Sequence, residues 1–251
     1  MKLAIMQPYF FPYVGYFSLM EYADRFVFFD TPQYISRGWV NRNRLMTTAG
    51  DPVYMTVPIR KMPRETAINE IMIDDSQNWK EKIYGQLTAY KKRAPYFKQT
   101  TELVRDILDG SAGDSLSKLN ILSTMRIAKE IGIDCAFDTF SEMDLAIGEV
   151  HAPDEWALEI SKAMGAGTYV NPPGGMEFFD KSKYDRAGIA LEYLKSNLKP
   201  YIQRVGKWVP ALSIIDVMMF CTKDEIRDIL KEHAAAGVID LPKEYGMFIC
   251  R

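Results

Sequence analysis

The chain has 251 residues, of which 47% are hydrophobic and 25% are charged, a composition that excludes a disordered or fibrous protein and allows one large packed domain. Its 31 lysines and arginines nearly balance 33 aspartates and glutamates, which gives a formal net charge of -2. This balance argues against non-specific nucleic-acid binding, because such binding needs a positive surface.

Cysteine and histidine usage argues against a metal site and indicates a reducing compartment. Three cysteines and two histidines without CxxC spacing are a poor basis for a disulfide framework or a tetrahedral zinc site. The apolar start of the chain is too short for a secretory signal, and no stretch reaches the roughly 18 apolar residues of a membrane span. We therefore expect a cytoplasmic protein that needs no transition metal, with His151 and His233 in structural or exposed positions.

Short apolar runs alternate with amphipathic segments along the chain. Runs rich in β-branched and aromatic residues predict strands at residues 3–6, 26–29, 53–57, 135–137, 168–170 and 189–193. Helices are predicted from about Val14, at 79–92, 115–131, 156–164 and 177–186, and as a closing pair within 212–236. In the helix at 115–131, the buried stripe is expected to contain Leu119, Leu122 and Met125. This alternation predicts an α/β fold, in which helices sandwich a mostly parallel sheet and a helical segment closes one domain of residues 1–251.

The segment MQPYFFPYVGYF, residues 6–17, follows the first predicted strand directly. Its two prolines deny it a place in a sheet and force an extended turn. The next helix therefore begins at the carboxyl end of the strand, where open α/β sheets bind ligands and unpaired N–H groups attract anions. The candidates for ligand contact are Gln7, Tyr9, Tyr13, Gly15 and Tyr16. The alternative is that these aromatic side chains only fill the core.

A second polar segment follows the second predicted strand and carries three arginines and two asparagines within eight residues. Guanidinium groups bind phosphate or carboxylate through two hydrogen bonds, asparagine recognises polar edges, and tryptophan stacks on a sugar or base. The candidates are Asp30, Gln33, Arg37, Trp39, Asn41, Arg42, Asn43 and Arg44. The alternative is a solvated loop whose arginines pair with nearby acids.

Two later segments add polar candidates, namely Asn171, Gly174, Gly175, Tyr201 and Gln203. The glycines follow a predicted strand and let a ligand approach the backbone closely, although such a turn also serves as a simple connection.

These segments resemble the successive blocks of the WbqC-like protein family. The blocks are MQPYFFPYVGYF, ADRFVFFDTPQYISRGWVNRNRL, VYMTVPIRK, YKKRAPYF, NPPGG and KPYIQRVGKWVPALSIIDVMM, which together cover nearly the whole chain. The family is associated with gene sets for O-antigen and related surface glycans. The resemblance thus implies a transferase or amide-forming ligase of lipopolysaccharide biosynthesis, which acylates or aminoacylates the amine of a nucleotide-linked amino sugar.

A second resemblance concerns the start of the first helix. Tyr13-Val14-Gly15-Tyr16 is similar in placement to the H-x-G-H motif of nucleotidylyltransferases, which implies a Rossmann-like fold of that kind. Tyrosine stands at both histidine positions, and it donates a hydrogen bond to a phosphate without carrying positive charge. The use of ATP in an adenylation step therefore stays open.

In the enzyme hypothesis, Gln7, Tyr13, Asp30 and Asn41 lie near the reacting group. Proton transfer falls to a carboxylate such as Asp30 or to a tyrosine, because no histidine lies in these segments. The other hypothesis is a non-catalytic sugar-nucleotide binding or assembly factor, and turnover separates the two.

In both hypotheses, Arg42 and Arg44 bind the anionic part of the nucleotide-linked sugar together with the helix start around Gly15. As exposed charges they should contribute little to folding.

Overall fold

The computed structural model describes residues 1–111, 115–194, 198 and 200–232; His233 and Cys250 lie outside this range. Its strands are β1 (Lys2–Met6), β2 (Arg25–Phe28), β3 (Arg42–Met46), β4 (Pro52–Thr56), β5 (Ala136–Thr139), β6 (Thr168–Asn171) and β7 (Ala190–Tyr193). Its α-helices are α1 (Val14–Tyr22), α2 (Trp79–Leu87), α3 (Phe97–Gly110), α4 (Leu116–Ile131), α5 (Glu155–Ala163), α6 (Lys181–Ala187), α7 (Ile214–Phe220) and α8 (Lys223–Glu232).

β1 lies in the middle of a five-stranded sheet whose order is β5-β2-β1-β6-β7. Every neighbouring pair of these strands is parallel. The chain builds the sheet outward from β1 to β5 and then returns to the other side of β1 to add β6 and β7. The winding therefore reverses between β1 and β6, where doubly wound sheets open a crevice at the carboxyl ends of their strands. The predicted parallel α/β sandwich is confirmed.

Different helices cover the two faces of this sheet. Ala4 and Met6 pack with α1, α4, α7 and α8 in the larger core, whereas Leu3 and Ile5 pack with α5 and α6 in the smaller core. Successive strand residues point to opposite faces, and here both faces are buried. Burial on both faces explains why the strands appear in the sequence as unbroken apolar runs.

β3 and β4 form a separate antiparallel ribbon. The strand predicted at 53–57 is present as β4, but it belongs to this ribbon, and the sequence did not predict β3. Leu45, Met46 and Met55 are fully buried and anchor the ribbon on the larger core. The alternative interpretation, in which Arg42 and Arg44 lie in a solvated loop, is therefore wrong, because both belong to β3.

The predicted helices are present, with differences in extent, number and packing; the helix predicted at 177–186, for example, begins at Lys181. The helix at 79–92 is α2 followed by a single 3-10 turn, and α3 is an additional helix. On α4, Leu119 is buried but Leu122 and Met125 are 40% and 41% exposed, so that part of the predicted stripe is wrong. The reason is that the buried face of α4 contains polar side chains, namely Asn120, Ser123 and Thr124. Leu122 and Met125 therefore lie on the outer face of the helix.

The closing pair is confirmed as α7 and α8, and the prediction beyond Glu232 lies outside the described residues. No helix within residues 1–111, 115–194 and 200–232 is long and apolar enough to cross a membrane.

Lys183 joins α5 to α6 on the outer side of the smaller core. Its Nζ lies 2.9 Å from the Asp154 carboxylate and 2.8 Å from the Glu155 carboxylate. Lys183, together with the main-chain N–H of His151, lowers the pKa of Glu155 from its ordinary value near 4.5 to about 2. Glu155 therefore stays ionised at pH values where a free glutamate is protonated.

This contact predicts a pH-dependent effect of Glu155→Gln. A carboxyl group whose pKa is lower in the folded state stabilises the fold above its unfolded pKa, and this stabilisation disappears as the pH falls toward the folded pKa. The variant should melt below the parent at pH 6, and the gap should close between about pH 4.5 and pH 2. Melting curves across this range would check it.

Asp185→Asn is the matched control, because Asp185 pairs with Lys181 on the exposed side of α6 and exposed pairs contribute little. A constant difference between Glu155→Gln and the parent at every pH would contradict the assignment.

Candidate functional site

The strand order predicts a crevice at the switch point between β1 and β6, bordered by the carboxyl ends of these neighbouring parallel strands. Gln7 follows β1 directly, and Asn171 is the last residue of β6. Phe29 follows β2 and donates its main-chain N–H to the Met6 carbonyl at 2.8 Å, which places it beside Gln7. The sequence candidates Gln7 and Asn171 are thus brought to the same edge of the sheet.

Asn171 lies beneath the turn Pro173–Gly175. The residue is 2% exposed, and its side-chain nitrogen Nδ2 is buried without a hydrogen-bond partner among the described residues. A Cβ atom on Gly175 would lie 2.1 Å from this nitrogen, so only glycine allows the turn to close over the amide. Gly174 is exposed at the rim. A buried amide donor without a partner is costly and suits a site that a ligand completes.

The segment 7–13, called here the aromatic loop, is held in a strained conformation. Phe11 has a φ of 41°, which bulky residues rarely adopt. The Asn43 side chain, 3% exposed, donates to the carbonyl oxygens of Phe10 and Phe11 at 3.1 and 2.8 Å. Its Oδ1 accepts from the Arg44 N–H at 2.8 Å, so Asn43 is fully engaged by the main chain.

Two further buried side chains hold the same loop. Asn120 of α4 donates to the carbonyl oxygens of Pro8 and Val40 at 2.9 and 2.7 Å. Ser213, at the start of α7, donates its hydroxyl to the Phe11 carbonyl at 2.8 Å. Both are completely buried. Asn43, Asn120 and Ser213 are called the loop clamp below.

The other candidates of the first segment shape the start of α1. Tyr16 is 1% exposed, and its hydroxyl donates to the Gln7 carbonyl at 2.8 Å, so its polar group serves the scaffold. Tyr9 is partly buried, with its ring centroid 5.6 Å from that of Tyr16. Tyr13 precedes α1 without capping it through its side chain, and Gly15 lies buried in the first turn. Gln7 is therefore the residue of this segment that borders the crevice.

The ribbon carries two arginines among aromatic rings. The guanidinium carbon of Arg42 lies 4.4 Å from the centroid of the Tyr54 ring, and that of Arg44 lies 5.8 Å from the Trp39 ring. The Trp39 and Tyr54 rings are 6.3 Å apart. The Phe10 N–H donates to the Trp39 carbonyl at 3.0 Å and so joins this array, called here the arginine ladder, to the aromatic loop.

The ladder arginines also hold main-chain groups. Arg42 donates through Nε to the Gly38 carbonyl at 3.3 Å and through Nη2 to the Arg37 carbonyl. Arg44 donates through Nη2 to the Ala211 carbonyl at 3.3 Å. Both are partly buried, so the premise that they are exposed charges is wrong; their small contribution to folding stays a prediction.

Two candidates of the second segment lie on the surface. Arg37 is exposed and has a φ of 64°, in the turn that Arg42 closes. Gln33 is exposed and donates its amide to the Arg64 carbonyl at 2.8 Å.

Asp30 and Asn41 are used by the scaffold. The Asp30 carboxylate, 2% exposed, accepts from the main-chain N–H and the hydroxyl of Ser141 at 3.0 and 2.6 Å, which ties the end of β2 to the end of β5. Asn41 donates to the Val57 carbonyl at 3.0 Å and accepts from the Tyr34 hydroxyl at 2.9 Å. These contacts give both side chains a structural role, and the catalytic role expected from the sequence stays a prediction.

Tyr201 and Gln203 belong to a buried cluster around Asp216. This carboxylate accepts from the Tyr90 hydroxyl at 2.6 Å, from the Gln203 amide at 2.9 Å and from the Tyr201 hydroxyl. Gln203 also bonds both main-chain groups of Val209, at 2.9 and 2.8 Å. Burial raises the pKa of Asp216. The cluster anchors the segment before α7, so these two candidates support the fold and do not border the crevice.

Sequence reasoning missed the clamp residue Asn120 and the role of Tyr90. A signal for Asn120 was present, because Asn120 and Ser123 follow Leu116 at the i+4 and i+7 positions of one helix face. Polar residues at such apolar positions indicate buried hydrogen bonds.

The comparisons with known proteins identify a family. The model of the WbqC-like protein family matches residues 7–228, which include the crevice, the loop clamp and the arginine ladder. The chain belongs to the WbqC-like protein family. It is 28% identical over 232 residues to the uncharacterized protein Rv1507c of Mycobacterium tuberculosis, an overlap of 92% of this chain and 97% of that protein. No solved structure matches the chain, so the resemblance to nucleotidylyltransferases stays a prediction.

The loop clamp of this WbqC-like protein predicts a large effect of Asn43→Ala. The Phe10 carbonyl would lose its partner in the core, whereas the Phe11 carbonyl would keep Ser213. We expect the free energy of unfolding to fall by about 1–3 kcal/mol, the cost of one buried unsatisfied group. Urea unfolding would measure it.

Asn43→Asp should destabilise more, because it turns a carboxylate toward two carbonyl oxygens. Asn78→Ala is the matched control, since Asn78 is exposed and its side chain caps nothing. Equal unfolding midpoints for Asn43→Ala and the parent would show that the clamp does not hold the loop.

Proposed function

We propose that this WbqC-like protein is an enzyme of surface-polysaccharide biosynthesis that binds a nucleotide-linked amino sugar and transfers an acyl or aminoacyl group to its amine. The observation that carries the proposal is the unpartnered amide of Asn171 at the switch point, beneath a glycine turn. A doubly wound sheet binds its ligand at this place, and a neutral amide donor suits a hydroxyl or carbonyl oxygen of a sugar. The family assignment supports the polysaccharide setting.

The arginine ladder is the observation that supports a nucleotide as part of the ligand. Gln7 and Phe10 are three residues apart, so the loop between crevice and ladder spans at most about 11 Å. A sugar nucleotide is long enough to lie along it, with its sugar at Asn171 and its diphosphate near Arg42. Arg42 uses Nε and Nη2 on carbonyl groups and has Nη1 left as a further donor. Trp39 and Tyr54 offer rings on which a base can stack.

The proposed reaction is nucleophilic acyl transfer. The lone pair of the sugar amine attacks the carbonyl carbon of a thioester or aminoacyl ester, the N–C bond forms, and the C–S or C–O bond breaks. The amine proton leaves with the released thiol or hydroxyl. Gln7 and Asn171 would orient the amine and its neighbouring hydroxyl groups, which accelerates the attack by positioning. Tyr13, at the other end of the aromatic loop, stays a candidate for contact with the reacting group.

A non-catalytic sugar-nucleotide binding factor is the second candidate. The burial and internal hydrogen bonds of two carboxylates favour it. Asp30 and Asp216 are both buried and engaged by internal hydrogen-bond donors, and His151 is exposed. A general base for the transfer is therefore not evident among these groups, whereas binding alone needs none.

The test separates binding from turnover. Calorimetry with UDP- and dTDP-linked amino sugars should give binding at micromolar concentration. Incubation of the tightest binder with acyl thioesters, with aminoacyl-tRNA, or with an amino acid and ATP should then increase the sugar nucleotide mass by one acyl or aminoacyl group, seen by mass spectrometry.

Arg42→Gln should weaken binding of the same compounds and of the free nucleoside diphosphate by about tenfold or more, since charged hydrogen bonds contribute about 1.5–3 kcal/mol. Lys80→Gln is the control, because Lys80 is a cation beside Trp79, outside the ladder and the loop. Binding without turnover for every donor would favour the binding factor. Failure of the whole panel to bind would reject both functions.

A further inference from the structure

A second buried polar group without a partner lies on the same face of the sheet as Asn171. Tyr184 of α6 is completely buried, and its hydroxyl has no hydrogen-bond partner among the described residues. Its ring stacks on Tyr169 of β6, with centroids 5.7 Å apart and an angle of 13° between the planes. Buried phenols normally find a partner, so this hydroxyl calls for an explanation.

Strand geometry places the two groups together. Tyr169 packs in the smaller core, and Asn171, two residues later in β6, points to the same face. Tyr193 pairs with Asn171 across β6 and β7. Phe179 links the two groups. A Cβ atom on Gly175 would lie 2.1 Å from the Asn171 Nδ2 and 3.0 Å from Cε2 of Phe179, and the centroids of the Phe179 and Tyr184 rings are 6.0 Å apart. Asn171 and Tyr184 therefore lie on either side of Phe179 beneath the glycine turn.

Aromatic rings continue this face toward Gln7. The Phe29 ring lies 5.2 Å from that of Phe140 and 5.6 Å from that of Trp156, and the latter two are 6.1 Å apart. All three are partly exposed. Side chains two residues apart in a strand lie on the same face. Ile5 lies on this face, so Gln7, which follows β1 directly, is expected on it as well. The result is a partly open aromatic wall beside polar donors, a combination that suits a pyranose ring, which is apolar on its faces and polar at its edge.

The local charge disfavours a phosphate here. Asp154 and Glu155 both pair with Lys183, the residue before Tyr184 in α6, so two carboxylates face a single ammonium group there. An anion would be repelled, whereas a neutral sugar ring or the ammonium form of an amino sugar would not. The ribbon that carries the arginine ladder is anchored on the larger core, which lies on the opposite face of the sheet.

We propose that Asn171 and Tyr184 form the sugar subsite of the crevice, where they hydrogen-bond the hydroxyl or amino edge of a pyranose whose face packs on the Phe29, Phe140 and Trp156 rings. This inference rests on the proposed function and names the end of the nucleotide-linked sugar that enters beneath the glycine turn.

Tyr184→Phe tests the subsite, because it removes a single oxygen that has no internal partner. The variant should melt no lower than the parent. It should bind UDP-glucosamine and a dTDP-linked 4-amino sugar about 3- to 10-fold more weakly, the effect of one lost hydrogen bond, and bind UDP and dTDP unchanged. Asn171→Leu should show the same pattern, so the test does not depend on one variant.

Tyr90→Phe is the matched control. Its hydroxyl donates to Asp216 at 2.6 Å and accepts from the Met46 N–H at 2.8 Å, so its loss should lower the melting temperature and leave sugar-nucleotide affinity unchanged. Opposite outcomes for two equally buried phenols would separate a ligand contact from a structural one.

Three results would overturn the subsite while the proposed function stands. These are unchanged affinity of both subsite variants for the sugar nucleotides, equal weakening for the free nucleoside diphosphates, or a drop in the melting temperature of Tyr184→Phe as large as that of Tyr90→Phe. If the parent bound none of the sugar nucleotides, the proposed function and the subsite would fall together.

Discussion

The loop clamp is the constraint on which the rest of this structure depends. The aromatic loop leaves β1 with prolines that cannot join a sheet, and Phe11 has a backbone conformation that costs energy by itself. Asn43, Asn120 and Ser213 hold its carbonyl groups from β3, α4 and the start of α7. The loop thereby fixes the start of α1 and attaches the ribbon to the parallel sheet at the carboxyl end of β1.

Buried polar groups in this protein fall into two kinds with different consequences. The cluster around Asp216 and the bonds of Asp30 are internally satisfied, and such networks rigidify a fold because breaking them leaves an uncompensated group in a low-dielectric core. Nδ2 of Asn171 and the hydroxyl of Tyr184 lack partners among the described residues, so these two atoms add no hydrogen bond to the fold. Unpartnered buried atoms also occur in the scaffold, for example Oδ1 of Asn120 and Oγ1 of Thr124 in α4. A missing partner therefore indicates a candidate site only where the position in the fold also favours a ligand, as it does for Asn171 at the switch point.

This distinction explains what the sequence predicted and what it could not. The parallel strands were predictable because burial on both faces leaves unbroken apolar runs in the sequence. The positions of Gln7 and Asn171 at the ends of strands were predictable because the prolines and glycines that follow them end each strand locally. β3 was not predictable, since the sequence Arg42-Asn43-Arg44 resembles a charged loop. These residues form a strand because they pair with β4. The scaffold contacts of Asp30 and Asn41 could not be predicted, because their partners Ser141 and Val57 are distant in sequence. A role for Tyr184 could not be predicted from the sequence, because α6 comes near Asn171 only through its packing on the sheet.

Charge is distributed unequally across the two faces of the sheet at this edge. The ribbon brings Arg42 and Arg44 to the side of the larger core, whereas Asp154 and Glu155, with one lysine between them, lie on the side of the smaller core. A ligand with a diphosphate at one end and an amine at the other has complementary charges, because its negative end matches the arginines and its positive end matches the carboxylates. Coulomb interactions with both ends favour one orientation and penalise the reverse. The amine would then lie beside Asn171 and Gln7, at the carboxyl ends of β6 and β1, where an acyl donor can reach it from the open edge.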